Sequence, residues 1–177
     1  GMPAGSTVIA NATDPGVRAI IGRLADTNLT IVRYALVAPE ASGDGSSAAV
    51  ADFAALIVGE GADGTTLEIL DHGTASGPMT VHLATAGRHN AANALAVAAA
   101  ANALGLDVAA IVRGLTTFTG VGRRLERIGE AAGVVIYDDY AHHPTAIRET
   151  LRAIRQREPG RRVWAVYEPL TFHRTAA

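Results

Sequence analysis

From Asn90 to Leu104 the chain reads NAANALAVAAAANAL, rich in Ala, Leu and Val and free of Gly and Pro. Such a stretch reads as a strong helix, and one this apolar all round must lie largely buried. Gly105 stands where a glycine ends a helix, and Asp107 is placed to cap a second helix running through Leu115. Aromatic residues make up only 5% of the chain, against 49% hydrophobic residues overall. The core must therefore be assembled mainly from Ala, Val, Leu and Ile. At 177 residues the chain fits one ordinary domain or two small ones, with enough length to bury a real core.

On either side of this helix the apolar runs are short. Thr7 to Ala10 reads as a buried strand, and Asp14-Pro15 as a helix start, since Asp14 can accept from free backbone N–H groups and Pro15 suits the first helical position. Val17, Ile20, Ile21 and Leu24 follow at helical spacing, and Leu29 to Ala35 is the next strand. Strand, helix, strand implies parallel pairing in an α/β unit. Pro39 to Ser47 reads as a loop. Ala51 to Leu83 carries short apolar runs between Gly-rich segments, the pattern of a small antiparallel meander.

Past Leu125 the sequence predicts two strands, LERIGE and GVVIYDD, joined by a turn at Ala132-Gly133. An amphipathic helix is expected over Pro144 to Gln156, with Thr145 or His143 near its cap. Arg162 to Tyr167 reads as another strand, giving a second parallel α/β unit. A boundary near Gly120 to Leu125 divides the chain into residues 1–122 and 123–177.

Composition excludes several classes. The formal net charge is −2 with 18% charged residues, a balance that suggests neither a nucleic-acid nor a membrane-surface partner. There is no cysteine, which removes disulfides, Cys-held metals and a thiol nucleophile. No run has the length of a membrane span, and no basic-then-apolar leader opens the chain. Gly1 before Met2 reads as a tag-cleavage remnant. A soluble cytoplasmic protein is expected.

Three polar constellations carry the chemistry. In GRHNAANALA, Gly87 permits a sharp approach to the helix, and His89 and Asn93 lie four apart on one face of its first turns. A side-chain amide there can pair with both a donor and an acceptor on a purine edge. The plainer alternative makes Asn90 a helix cap and Asn93 a satisfied polar group. In FTGVGRRLE, Arg123 and Arg124 follow a Gly-rich turn and suit phosphate recognition, unless both simply face solvent. In YDDYAHHPT, an apolar strand ends in a burst of ionisable groups just before a helix, where open α/β sheets bind ligands. Asp138 and Asp139 alternate sides of an extended chain and should have different partners. A dedicated metal held by the protein alone is not expected, since no further ligand cluster accompanies them.

These three motifs, in this order, resemble the Mur ligase family. The last is the most specific and looks most like the members that join L-alanine, or a recycled murein tripeptide, to UDP-N-acetylmuramate. VIANATDPGVRAII also looks like a late strand–helix unit of the family's central ATPase domain. The implied fold is α/β: the end of that central domain, followed by the start of a Rossmann-like C-terminal domain. The implied chemistry is ATP-dependent activation of a substrate carboxylate to an acyl phosphate, attacked by an amino-acid or peptide amine, with Mg²⁺ bridging phosphates. The implied catalytic residues are Arg124 and His142. His89, Asn93, Arg124 and Asp139 would contact the nucleotide, and Tyr140, His142 and Arg174 the incoming substrate.

The departures are as informative. Leu170 and Thr171 stand where the alanine-adding pattern has a histidine and an arginine, which leaves the added amino acid open. No GxxxxGK[ST] phosphate loop occurs. The chain is therefore expected to be an incomplete ligase that does not turn over ATP alone and that self-associates through exposed sheet edges. A non-catalytic module binding a nucleotide or a protein partner is the competing expectation.

Overall fold

The computed structural model describes residues 2–24, 27–37, 51–73 and 77–168. Strand β1 (Thr7–Asn11) leads into helix α1 (Pro15–Arg23), with Asp14 capping it by accepting the Val17 N–H at 2.9 Å. Strand β2 (Thr30–Val37) returns parallel to β1, Thr7 facing Thr30, so the expected α/β unit forms. Strands β3 (Phe53–Gly61), β4 (Gly64–Asp71) and β5 (Met79–Leu83) form the expected antiparallel meander. The sequence did not reveal that these two pieces are one object. β3 pairs parallel with β2, Tyr34 against Phe53, giving a single five-stranded sheet in the order β1-β2-β3-β4-β5. The loop expected over Pro39 to Ser47 lies outside the described residues.

Helices α2 (Arg88–Ala103) and α3 (Val108–Thr117) cover this sheet. Leu95 of α2 packs at 0% exposure with Leu67, Ile69 and Val81 of the sheet, and Ala91, Ala98 and Ala99 are also fully buried. Burying each Leu, Ile or Val side chain contributes about 1.5–3 kcal/mol. The alanines serve differently, letting the helix backbone lie close to the strands. The end of α2 is fixed as expected: Gly105 adopts φ +80, its N–H donates to Asn102 O, and the Leu106 N–H reaches back to Ala101 O. Asp107 caps α3 through the Ala110 N–H at 2.8 Å.

The second half is smaller. Strands β6 (Glu126–Ala131) and β7 (Val134–Asp138) form an antiparallel hairpin. Its two turn residues, Ala132 and Gly133, take φ +49 and +77, the doubly left-handed turn that matches hairpin twist. Helix α4 (Pro144–Arg157) follows, with the His143 ring accepting the Thr145 N–H at 3.3 Å. The strand expected over Arg162 to Tyr167 does not form: residues 161–168 have no ladder partner among the described residues. The reason is physical. A strand is stabilised by pairing and by covering an apolar face, and a two-stranded ribbon with Ile128, Val134 and Ile136 all exposed offers too little of either. Trp164 and Val166 accordingly face solvent. α4 instead packs back on the first half, where Ala153, Ala86 and Leu125 form a small buried cluster.

Candidate functional site

Gly87 is the N-cap of α2 and adopts φ +96, with no side-chain cap. A Cβ there would lie 2.8 Å from Ala153 Cβ and 2.9 Å from the His89 ring. Only glycine lets α4 and the His89 ring approach this closely. Asn90 is therefore not the cap; its amide donates to Ala86 O at 2.8 Å. His89 is half-buried, and its Nδ1 is a buried polar atom without a partner among the described residues. Asn93 lies one turn further along the same face and is exposed, with no side-chain hydrogen bond among the described residues.

The two arginines separate cleanly. Arg123 Nε bonds Asp138 Oδ2 at 3.2 Å, and its guanidinium sits 5.2 Å from the Tyr140 ring centroid. The Arg124 side chain makes no hydrogen bond or ion pair among the described residues, although its backbone N–H donates to Val121 O at 3.1 Å. Its guanidinium rests 5.9 Å from the same ring centre and stays available to a ligand. The two aspartates part as their alternation predicts: Asp138 holds Arg123, while Asp139 accepts the Leu125 N–H at 2.8 Å and the Ala141 N–H at 2.7 Å. Asp139 thus fixes the turn that presents Arg124, and each oxygen keeps a lone pair.

His89, Asn93, Arg124 and Asp139 line one cavity of about 1100 Å³ between α2, α3, the 120–125 turn and the start of α4. Val97, Ile111, Leu115 and Phe118 supply an apolar wall. A smaller pocket of about 310 Å³ shares Arg124 and adds Arg127 and Arg157. Tyr140 and His142 line neither; their rings meet edge-on, 5.2 Å apart, and the His142 ring lies 3.1 Å from Tyr140 O. Arg174 lies outside the described residues. Sequence reasoning missed His143 and Glu149 as cavity residues. The available signal was the polar face of α4, which a helix reading alone assigns to solvent.

Burial holds the His89 pKa below the ordinary histidine value; the Glu149 and Asp139 carboxylates oppose this, and Arg124 adds to it. The folded state therefore favours neutral His89. That contribution to stability is complete above the unfolded histidine pKa, about 6.5, and is lost as pH falls through the lower folded value. Thermal melts should show a larger drop in Tm on acidification below pH ~6.5 for the native chain than for His89→Asn. Parallel curves would show that His89 does not titrate in this way.

Residues 1–101 match the Mur ligase middle domain, and residues 123–174 match the Mur ligase glutamate ligase domain. The chain belongs to the Mur ligase family. Among Mur ligases, a UDP-N-acetylmuramate–L-alanine ligase of Mycolicibacterium gilvum is 38% identical over 176 residues, covering 98% of this chain and 34% of that protein. The crystal structure of a murein peptide ligase from Psychrobacter arcticus superposes with a TM-score of 0.63 at 28% identity, over 96% of this chain and 32% of that one. MurF from Acinetobacter baumannii gives a TM-score of 0.68 at 28% identity, over 88% of this chain and 30% of that one. The chain thus spans about a third of the length of the relatives it matches. The mixed sheet with its helical cover, then the hairpin and α4, is the Mur ligase middle-to-C-terminal arrangement.

Proposed function

We propose that this chain carries the nucleotide-facing half of an ATP-dependent ligase that joins L-alanine or a peptide to UDP-N-acetylmuramate through an acyl phosphate, in peptidoglycan precursor synthesis. The observation that supports it is the convergence of Asn93, Arg124 and Asp139 on one cavity that His89 also lines, its Nδ1 buried and without a partner among the described residues. Asn93 would read the purine edge, as an amide offers both donor and acceptor. Arg124, whose guanidinium has no partner among the described residues, would meet the phosphates, and Asp139 the ribose. Arg124 and His142 are assigned the catalytic roles, and Tyr140, His142 and Arg174 the incoming substrate. In this reading residues 1–122 end the central ATP-binding domain and residues 123–177 begin the C-terminal ligase domain.

The donor set also bears on Mg²⁺. Among the described residues no three acidic or histidine side chains gather to hold a metal. The ion would therefore be held chiefly by the nucleotide's own phosphates, as is common for Mg²⁺. Nucleotide turnover is assigned to the assembled enzyme, since these residues contain no GxxxxGK[ST] loop. A cytoplasmic setting suits such substrates, and no described helix is long and apolar enough to cross a membrane. Pairing of copies through the sheet edges, β1 and β5, belongs to the same proposal.

Calorimetric titration with ATP and Mg²⁺ tests the central point. The native chain should bind, and Asn93→Ala should bind at least about tenfold more weakly, the cost of about 1.4 kcal/mol when a paired amide is lost. Absence of binding by the native chain, or equal affinity in Asn93→Ala, would overturn the reading.

A further inference from the structure

One side-chain amide joins three parts of the chain that are far apart in sequence. Gln156, in the last turn of α4, accepts the Gly87 N–H through Oε1 at 2.8 Å, across 69 residues. Its Nε2 donates to Gly64 O at 2.8 Å and Thr65 Oγ1 at 3.0 Å, and lies 3.2 Å from Gly61 O. An amide offers two donors and an acceptor, so the group is fully used. Gly61 and Gly64 flank the β3–β4 turn, and Thr65 is fully buried. Gly87 opens α2, the helix that carries His89 and Asn93. Next to it, Arg157 donates to Ala84 O at 2.6 Å, and Ala153 is buried against Ala86.

The geometry points to Gln156 as a positioning residue: by tying the end of α4 to both the β3–β4 turn and the first residue of α2, it sets His89 and Asn93 opposite Arg124 and Asp139. The argument is one of necessity as well as contact. Gly87 begins α2 without a side-chain cap, so the direction of the helix start depends on what its N–H finds. That partner belongs to α4, whose own start carries the Asp139 segment. Gln156, with Arg157 beside it, is thus a polar link between the two halves. The consequence for affinity rests on the nucleotide reading above; the docking itself does not.

The chemistry dictates a discriminating variant. In Gln156→Glu the ionised carboxylate can still accept from Gly87 but turns its second oxygen toward the Gly61 and Gly64 carbonyls, which repel it. The protonated acid, by contrast, mimics the amide, donating to Gly64 O and accepting from Gly87. Docking therefore favours the neutral form: it should be present near the unfolded glutamate pKa of about 4.3 and lost as pH rises through the higher docked value. The elements meeting here also carry Glu60, Asp63, Glu68, Asp71, Arg88, His89, Arg148, Glu149, Arg152, Arg155 and Arg157, so the native chain and Gln156→Ala are carried through the same pH series.

Amide hydrogen exchange of the 177-residue chain, resolved by NMR and corrected for intrinsic rates, reads this without ligand. In Gln156→Ala the Gly87 amide should exchange at least about tenfold faster, while Leu67 and Val81 in the sheet core keep their protection. Gln156→Glu should match Gln156→Ala near pH 8 and recover native protection as the pH is lowered to about 4. Unchanged Gly87 protection in Gln156→Ala, or no recovery in Gln156→Glu, would overturn the docking role. ATP titration of the same variants adds the second arm. Gln156→Ala should bind at least about tenfold more weakly; native affinity with lost Gly87 protection would overturn the positioning role. A native chain that binds no ATP would sink the nucleotide reading, and the exchange data alone would then decide whether Gln156 docks α4.

Discussion

Replacing Gly64 by alanine is expected to cost about 3–5 kcal/mol of stability, the sum of backbone strain and overpacking. Gly64 adopts φ +143, a region closed to residues with a Cβ. An added Cβ would collide with the Leu83 carbonyl oxygen, with Leu83 C at 3.0 Å and Ala84 Cα at 3.3 Å behind it. These are backbone atoms, so no rotamer relieves the contact. β5 would have to move away from β4, breaking the ladder where Thr65 faces Leu83. The same shift would pull Gly64 O from Gln156. Urea denaturation should show a lower midpoint, and Tm should fall by about 10 °C for a chain this size. Gly129→Ala is the matched comparison: its Cβ would meet nothing within 4 Å, so it should change stability by no more than about 0.5 kcal/mol. Equal stability of the two variants would refute the steric account.

Why Gly64 matters could not be read from GADGTT. The turn was legible, because Gly-rich segments between apolar runs announce a meander. The clash was not, since it involves Leu83 on another strand. The same division runs through the molecule. Asp14, Gly105 and Asp107 mark helix ends through bonds spanning only a few residues, and they were visible for that reason. Ala132-Gly133 was visible because a two-residue turn is local. The union of β2 with β3 spans the segment 38–50, and nothing local encodes which strand edge will pair. Arg162 to Tyr167 has the apolar pattern of a strand, yet pattern alone supplies no partner.

The site divides in the same way. Asn93, Arg124 and Asp139 were identifiable as chemistry-bearing residues from short motifs. That Arg123 is tied to Asp138 while the Arg124 guanidinium has no partner among the described residues depends on how β7 meets the 122–125 turn. Gln156 was invisible, because every one of its partners lies more than 60 residues away.

Removing the Asp139 side chain should be nearly as damaging as the Gly64 change, and for both stability and binding. Its carboxylate takes two short backbone bonds, from Leu125 at 2.8 Å and Ala141 at 2.7 Å. Bonds to a charged group are worth about 1.5–3 kcal/mol each, and the half-buried setting argues for the lower end, so Asp139→Ala should cost about 3 kcal/mol. The turn it holds is intrinsically unfavourable: Arg123 and Leu125 take φ +58 and +50, which side chains with a Cβ resist. Leu125 is also largely buried, so its freed N–H would lose its partner in a poorly solvated setting. Asp139→Asn separates the two bonds. Its amide oxygen can serve one N–H, but its NH₂ would face the other donor, so this variant should lose about half as much. Arg124 rides on the same turn, and ATP affinity should therefore fall more than about tenfold in Asp139→Ala. Denaturant melts and calorimetry on the two variants decide the matter. Native stability in Asp139→Ala would mean that the turn holds itself. Lost stability with undiminished affinity would leave Asp139 a scaffold residue and remove it from the nucleotide contacts.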